Sequence, residues 1–147
     1  MSTGQLIVTR DAPREKESFL ATTCLGHLLL VDDDRAGLYL RGHILEQAGY
    51  TVTLRCDPRH ALECDMNSFD LAIVDFDMPG CDGRELLLRM RALKARFPIL
   101  LLSGSVDTLP WETRVLFARC FAKPTCSQAL LAAVTAFLEQ SALPDCC

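Results

Sequence analysis

Five short apolar runs, four of them ending in acid, hydroxyl or lysine and each followed by a helical stretch, constrain this chain more than any other feature. Residues 27–31 read His-Leu-Leu-Leu-Val and run directly into Asp32, Asp33 and Asp34. A continuously apolar run of this length suits a strand buried on both faces. Asp34 is placed to cap a helix to about residue 48, with Leu38, Leu40, Ile44 and Leu45 near helical spacing and Gly49 closing it. Residues 50–54 alternate and are rich in β-branched side chains, which predicts a second strand. Asp57-Pro58 opens a second helix, with proline in its first turn. Residues 69–74 form a third apolar run, ending in Asp75. After a Met-Pro-Gly-Cys-Asp-Gly loop (78–83), a helix is predicted over 84–96, a strand over 99–102, a helix over 106–118, a strand over 120–122 and a last helix over 127–140.

This alternation predicts an α/β fold, a (βα)5 unit with a doubly wound, five-stranded parallel sheet and helices on both faces. In open sheets of this kind, functional groups collect beyond the carboxyl ends of the strands. The noteworthy polar residues fall there: Asp32 and Asp33 after the first strand, Asp75 after the third, Ser103 after the fourth and Lys123 after the fifth.

Three carboxylates at one sheet edge repel each other, and a hard divalent cation relieves that repulsion. Mg²⁺ takes oxygen ligands and keeps several waters, with one or two protein carboxylates. Asp33 and Asp75 can supply those carboxylates, and Asp32 can hold a bound water. Lys123 adds positive charge and can grip an anion, and the Ser103 hydroxyl can donate to an anion oxygen. The set suits a carboxylate nucleophile that receives a phosphoryl group.

Composition narrows the alternatives. The 147 residues contain 15 Lys plus Arg against 19 Asp plus Glu, a net charge of −4. This balance argues against the broad basic face of a non-specific nucleic-acid binder. No apolar run reaches the roughly 18 residues needed to span a bilayer. The first 20 residues lack a signal-peptide core, so a cytoplasmic location is expected, with no membrane partner. Eight cysteines are present and no pair has C-x-x-C spacing, so no zinc knuckle is read and reduced thiols are expected. Cys146-Cys147 is the pair expected to oxidise most readily. Cys81 reads as a spacer, and His27, His43 and His60 as ordinary surface or partly buried histidines. Residues 1–25 are expected to form a loosely ordered arm with a helical turn near 15–20, residues 26–141 the domain, and 142–147 a tail.

The strings Leu-Leu-Val-Asp32-Asp33-Asp34, Val74-Asp75-Phe76-Asp77-Met78-Pro79-Gly80-Cys81-Asp82-Gly83, Leu102-Ser103-Gly104 and Phe121-Ala122-Lys123-Pro124 resemble a response-regulator receiver domain of two-component signalling, over residues 26–140. The resemblance implies a flavodoxin-like sandwich related to the chemotaxis regulators. It implies Asp75 as phosphoacceptor, and Asp33, Asp75 and the backbone carbonyl of Asp77 as ligands of Mg²⁺ (or Mn²⁺), with Asp32 acting through water. Ser103 matches the switch hydroxyl and Lys123 the phosphate-binding lysine, with a cis Lys123-Pro124 bond and Gly83 at a tight turn. The implied partners are a histidine kinase or histidine phosphotransfer protein and a downstream protein target. The only catalysis implied is of the domain's own phosphorylation and dephosphorylation.

The sequence departs from the family at several positions: Ser105 is small, two residues after the switch hydroxyl, and Asp77 adds a fourth acidic side chain at the pocket's rim. The aromatic residue usual three positions before the lysine is replaced by Cys120, and Phe121 should point to the other sheet face. Other readings stay open: a receiver segment of a longer hybrid kinase or regulator, or an unphosphorylated pseudo-receiver that only docks. Asp75-Phe-Asp77 also resembles the Asp-x-Asp motif of haloacid-dehalogenase-type phosphatases. Pro79 stands where those enzymes carry Thr or Val, and their motif ends the first strand. Finally, residues 129–138 are apolar except for Thr135, more than one buried stripe requires. Together with Trp111, Val115, Leu116 and Phe117, this predicts exposed apolar surface on the fourth helix, fifth strand and fifth helix, which in receivers is the usual dimer or target surface.

Overall fold

The computed structural model describes residues 24–142. The expectations for the N-terminal arm before Cys24 and for the tail with Cys146-Cys147 lie outside the described residues. Strands β1 (His27–Val31), β2 (Thr51–Arg55), β3 (Leu71–Asp75), β4 (Ile99–Ser103) and β5 (Arg119–Ala122) form one sheet in the order β2-β1-β3-β4-β5. Every neighbouring pair is parallel. The helices are α1 (Arg35–Gln47), α2 (Pro58–Leu62), α3 (Gly83–Ala92), α4 (Trp111–Arg114) and α5 (Ser127–Ala142), with 3-10 turns at Met66–Ser68 and Val106–Thr108. This is the doubly wound α/β arrangement expected.

The three central strands are apolar apart from His27, Asp75 and Ser103 at their ends, because both of their faces are covered. Leu29, Val31, Ala72, Val74 and Leu101 point to one face and pack with Leu86, Leu87 and Met90 of α3. Leu28, Leu30, Ile73 and Leu100 point to the other face and pack with Leu38 and Leu45 of α1 and with Leu130 and Val134 of α5. Each fully buried leucine or isoleucine contributes about 1.5–3 kcal/mol relative to exposure. That burial fixes the register and holds the strand ends, and the acids on them, at one height.

Several boundaries differ from expectation for local reasons. The third helix ends at Ala92, four residues early. Lys94 adopts a left-handed φ of 73°, while its N–H reaches the Arg91 carbonyl and the Ala95 N–H reaches Met90. This Schellman closure satisfies the last carbonyls. Gly49 closes α1 in the same way, with φ 108°. The helix expected over 106–118 is a 3-10 turn followed by one turn of α4. Pro110, at the N-cap of α4, has no N–H to continue a helix from residue 106. Beyond Arg114 the Leu116 and Phe117 N–H groups bond three residues back rather than four. Asp34 occupies the N-cap of α1, but its side chain makes no capping bond. Leu40, expected on the buried face of this helix, is 61% exposed.

Candidate functional site

Asp32, Asp33 and Asp75 meet at the carboxyl edge because β1 and β3 are adjacent and in register, Val31 beside Val74. One carboxylate oxygen from each lies within 4.8 Å of the others. Asp32 and Asp75 are buried and Asp33 is exposed. Asp33 opens onto a cavity of about 570 Å³ that is also lined by Cys56, Asp57, Pro79, Gly80 and Cys81.

The Lys123 ammonium stands 2.9 Å from Asp75 Oδ1 and 3.0 Å from Asp32 Oδ2. It leaves β5 through a cis Lys123-Pro124 peptide, and its N–H donates to the Ser103 carbonyl at 2.9 Å, which ties the ends of β4 and β5 together. Burial raises the Asp75 carboxyl from its ordinary 3.8 to about 6; Lys123 draws it down, and the Asp32 and Asp33 charges push it up again. For Lys123, burial disfavours the charged ammonium. Its hydrogen bonds to Asp75 and Asp32, with their charges, outweigh that and leave it raised.

The remaining expected residues divide. Ser103 is fully buried at the end of β4, but its hydroxyl is engaged with Ser105: it accepts from the Ser105 N–H at 3.0 Å and lies 3.2 Å from the Ser105 hydroxyl. The Asp77 side chain is exposed, and its carbonyl accepts no hydrogen bond from the described residues. Gly83 serves close approach rather than an unusual φ. A Cβ there would stand 2.9 Å from Phe76 Cα and 3.0 Å from the Asp75 carbonyl oxygen, so glycine lets α3 start directly against the end of β3. The left-handed residue of this loop is Gly80, with φ 82°.

Arg41 was not anticipated. From α1 its guanidinium pairs with Asp32 Oδ2, the oxygen that also receives Lys123. It passes over Gly37, where a Cβ would meet its Nη1 at 3.1 Å. Helical side chains lean toward the helix N-terminus, so a long cation four residues after a glycine was the available signal.

Around the site, Cys120 packs with the α3-side core and Phe121 with the opposite core, where Arg119 lies 5.2 Å over its ring. Cys81 is buried in its loop, with its thiol raised by that burial. His27 bridges the Ser68 carbonyl and the Thr53 hydroxyl, a structural role. The exposed apolar surface expected near α4 and α5 is present but redistributed. Trp111 in α4 and Val115 just after it are 64% and 63% exposed, whereas the exposed apolar positions of α5 are the small Ala129, Ala132 and Ala136.

The parallel sheet in the order 2-1-3-4-5 is the flavodoxin-like doubly wound arrangement, and it carries an acid trio and a lysine at its carboxyl edge. Residues 28–135 match the response regulator receiver domain, and the chain belongs to that family. It is 41% identical over 86 residues to the transcriptional regulatory protein FixJ of Bradyrhizobium diazoefficiens, covering 58% of this chain and 42% of that protein. Crystallised full-length FixJ from B. japonicum superposes with a TM-score of 0.71 at 33% identity, covering 82% of this chain and 61% of the other. A CheY-like receiver domain protein from Methanospirillum hungatei superposes at 0.69 with 28% identity, covering 78% and 94%. The chain spans about half or less of the length of the curated regulators it matches first. Receiver domains are signalling domains rather than turnover enzymes, and this membership sets aside the haloacid-dehalogenase reading. No helix among the described residues is long and apolar enough to cross a membrane.

Proposed function

We propose that this receiver accepts a phosphoryl group on Asp75 from the phosphohistidine of a histidine kinase or histidine phosphotransfer protein, in the cytoplasm, with Mg²⁺ (Mn²⁺ as substitute). The observation that carries this reading is the meeting of Asp32, Asp33 and Asp75 at one sheet edge, with the Lys123 ammonium paired to Asp32 and Asp75. An all-oxygen donor set with two carboxylates facing each other beside an open cavity fits a hard divalent cation and not a soft one. Asp33, Asp75 and the Asp77 carbonyl would hold it, with Asp32 reaching it through water. When bound, the cation neutralises charge on the phosphoryl oxygens.

Asp75 is the nucleophile. With its carboxyl at about 6 it is mostly ionised near neutral pH. One carboxylate oxygen forms the new O–P bond as the P–N bond to the donor imidazole breaks, and the donor nitrogen keeps the electron pair. Lys123, already 2.9 Å from Asp75, holds an oxygen of the transferred group. The Ser103 hydroxyl leaves Ser105 to donate to another. That exchange pulls on the β4–α4 loop and alters the α4-β5-α5 face, where Trp111 and Val115 offer apolar area to a downstream target or a second copy. Incubation with acetyl phosphate and Mg²⁺, followed by whole-protein mass measurement, tests the reading. One phosphoryl adduct is expected, and none when the reaction is run in excess EDTA. No adduct under any condition would refute it and leave a pure docking module.

A further inference from the structure

We propose that Arg41 is a positioning residue that sets the metal affinity of this site by neutralising Asp32, an inference that rests on the acidic trio binding a hard divalent cation. Asp32 is 2% exposed, and both of its oxygens are occupied. Oδ1 accepts the Asp34 N–H at 2.9 Å; Oδ2 receives Arg41 and, at 3.0 Å, Lys123. Oδ1 keeps a second lone pair that a metal-bound water can use, and the negative charge it offers there is already drawn on by two cations.

The two cations are not equivalent. Lys123 is divided between Asp32 and Asp75, whereas the Arg41 guanidinium pairs, among the described residues, with Asp32 alone. Arg41 comes from α1, on the opposite side of the sequence from the phosphate-binding lysine. Gly37 leaves room beside it: a Cβ there would stand 2.8 Å from Asp34 Oδ2 and 3.1 Å from Arg41 Nη1. The guanidinium also carries its charge at every working pH, so it is a permanent counter-charge.

Three carboxylates and two cations leave the trio with a small net negative charge. Removing Arg41 deepens it by one charge at a mostly buried oxygen, where Coulomb interactions are weakly screened. A divalent cation should then bind more tightly, and the metal-free protein should be less stable because Asp32 has lost a partner.

The test is a Mg²⁺ titration of wild type, Arg41→Gln and Arg41→Lys, followed by amide NMR shifts, with urea unfolding midpoints measured in EDTA and in saturating Mg²⁺. Arg41→Gln is expected to tighten Mg²⁺ binding about three- to tenfold, to unfold at lower urea in EDTA, and to gain more from Mg²⁺ than wild type. Arg41→Lys, which keeps the charge, should stay near wild type. Unchanged or weaker binding in Arg41→Gln overturns the inference while leaving the functional reading standing. Equal tightening in both variants also overturns it, because charge would not be the cause. No Mg²⁺ binding by any of the three overturns the metal reading itself, and this inference with it.

Discussion

Replacing Asp75 with asparagine should stabilise the metal-free protein. The side chain keeps its size and an oxygen acceptor for Lys123, but loses a charge that the fold disfavours. Asp75 is 4% exposed and shares its surroundings with two further carboxylates. Its carboxyl is raised from 3.8 to about 6, chiefly by burial. At full weight that rise corresponds to about 3 kcal/mol. Neighbouring Asp33 opens to solvent, and screening there reduces the expected effect to about 1–2 kcal/mol. The sign follows from linkage: a carboxyl raised on folding supports the native state below its unfolded value and loses that support as pH climbs through the folded value. In EDTA, the advantage of Asp75→Asn should therefore be absent below about pH 4, grow between about pH 4 and 6, and level off above. Urea unfolding followed by circular dichroism across this range measures it. Mg²⁺ should reverse the order, because only wild type keeps the full ligand set and gains binding energy by mass action. A variant less stable than wild type near neutral pH in EDTA, or a difference independent of pH, would refute the electrostatic reasoning.

Other substitutions have distinct signatures. Lys123→Ala removes the cation shared by Asp32 and Asp75 and should cost about 1–3 kcal/mol in EDTA, opposite in sign to Asp75→Asn; equal stability by urea unfolding would contradict the ion-pair geometry. Gly83→Ala puts a methyl group 2.9 Å from Phe76 Cα, so a loss of about 1–3 kcal/mol is expected, with NMR shifts concentrated at the end of β3. Lys94→Gly relieves the left-handed φ of 73° that closes α3 and should raise stability by about 0.5–1 kcal/mol in thermal unfolding.

The parts of this molecule governed by short-range chemistry were legible in the sequence. An apolar run such as residues 27–31 suits a strand covered on both faces, so β1, β3 and β4, with the acids and the hydroxyl at their ends, followed directly. Pro58 at a helix start and Gly49 at a helix end were likewise read from backbone constraints. What escaped depends on contacts that a periodicity does not encode. Helix α3 stops at a non-glycine residue in a left-handed conformation, which no local preference of lysine announces. Pro110 stands inside the stretch expected as one helix over 106–118, and the tight turns on either side of it leave only one turn of α4. Asp34 was assigned a capping bond, yet its backbone N–H instead serves Asp32, which belongs to the site. No motif singles out Arg41, because its partner lies nine positions away, past the space at Gly37.

The claim that Asp75 is the phosphoacceptor is tested most directly by locating the modified residue. The protein is treated with acetyl phosphate and Mg²⁺ and reduced with borohydride, which converts an acyl phosphate to the corresponding alcohol; the peptides are then sequenced by mass spectrometry. The account predicts reduction at Asp75 alone, absent in Asp75→Asn and absent in EDTA. Reduction at Asp32, Asp33 or Asp77 with Asp75 untouched would contradict it.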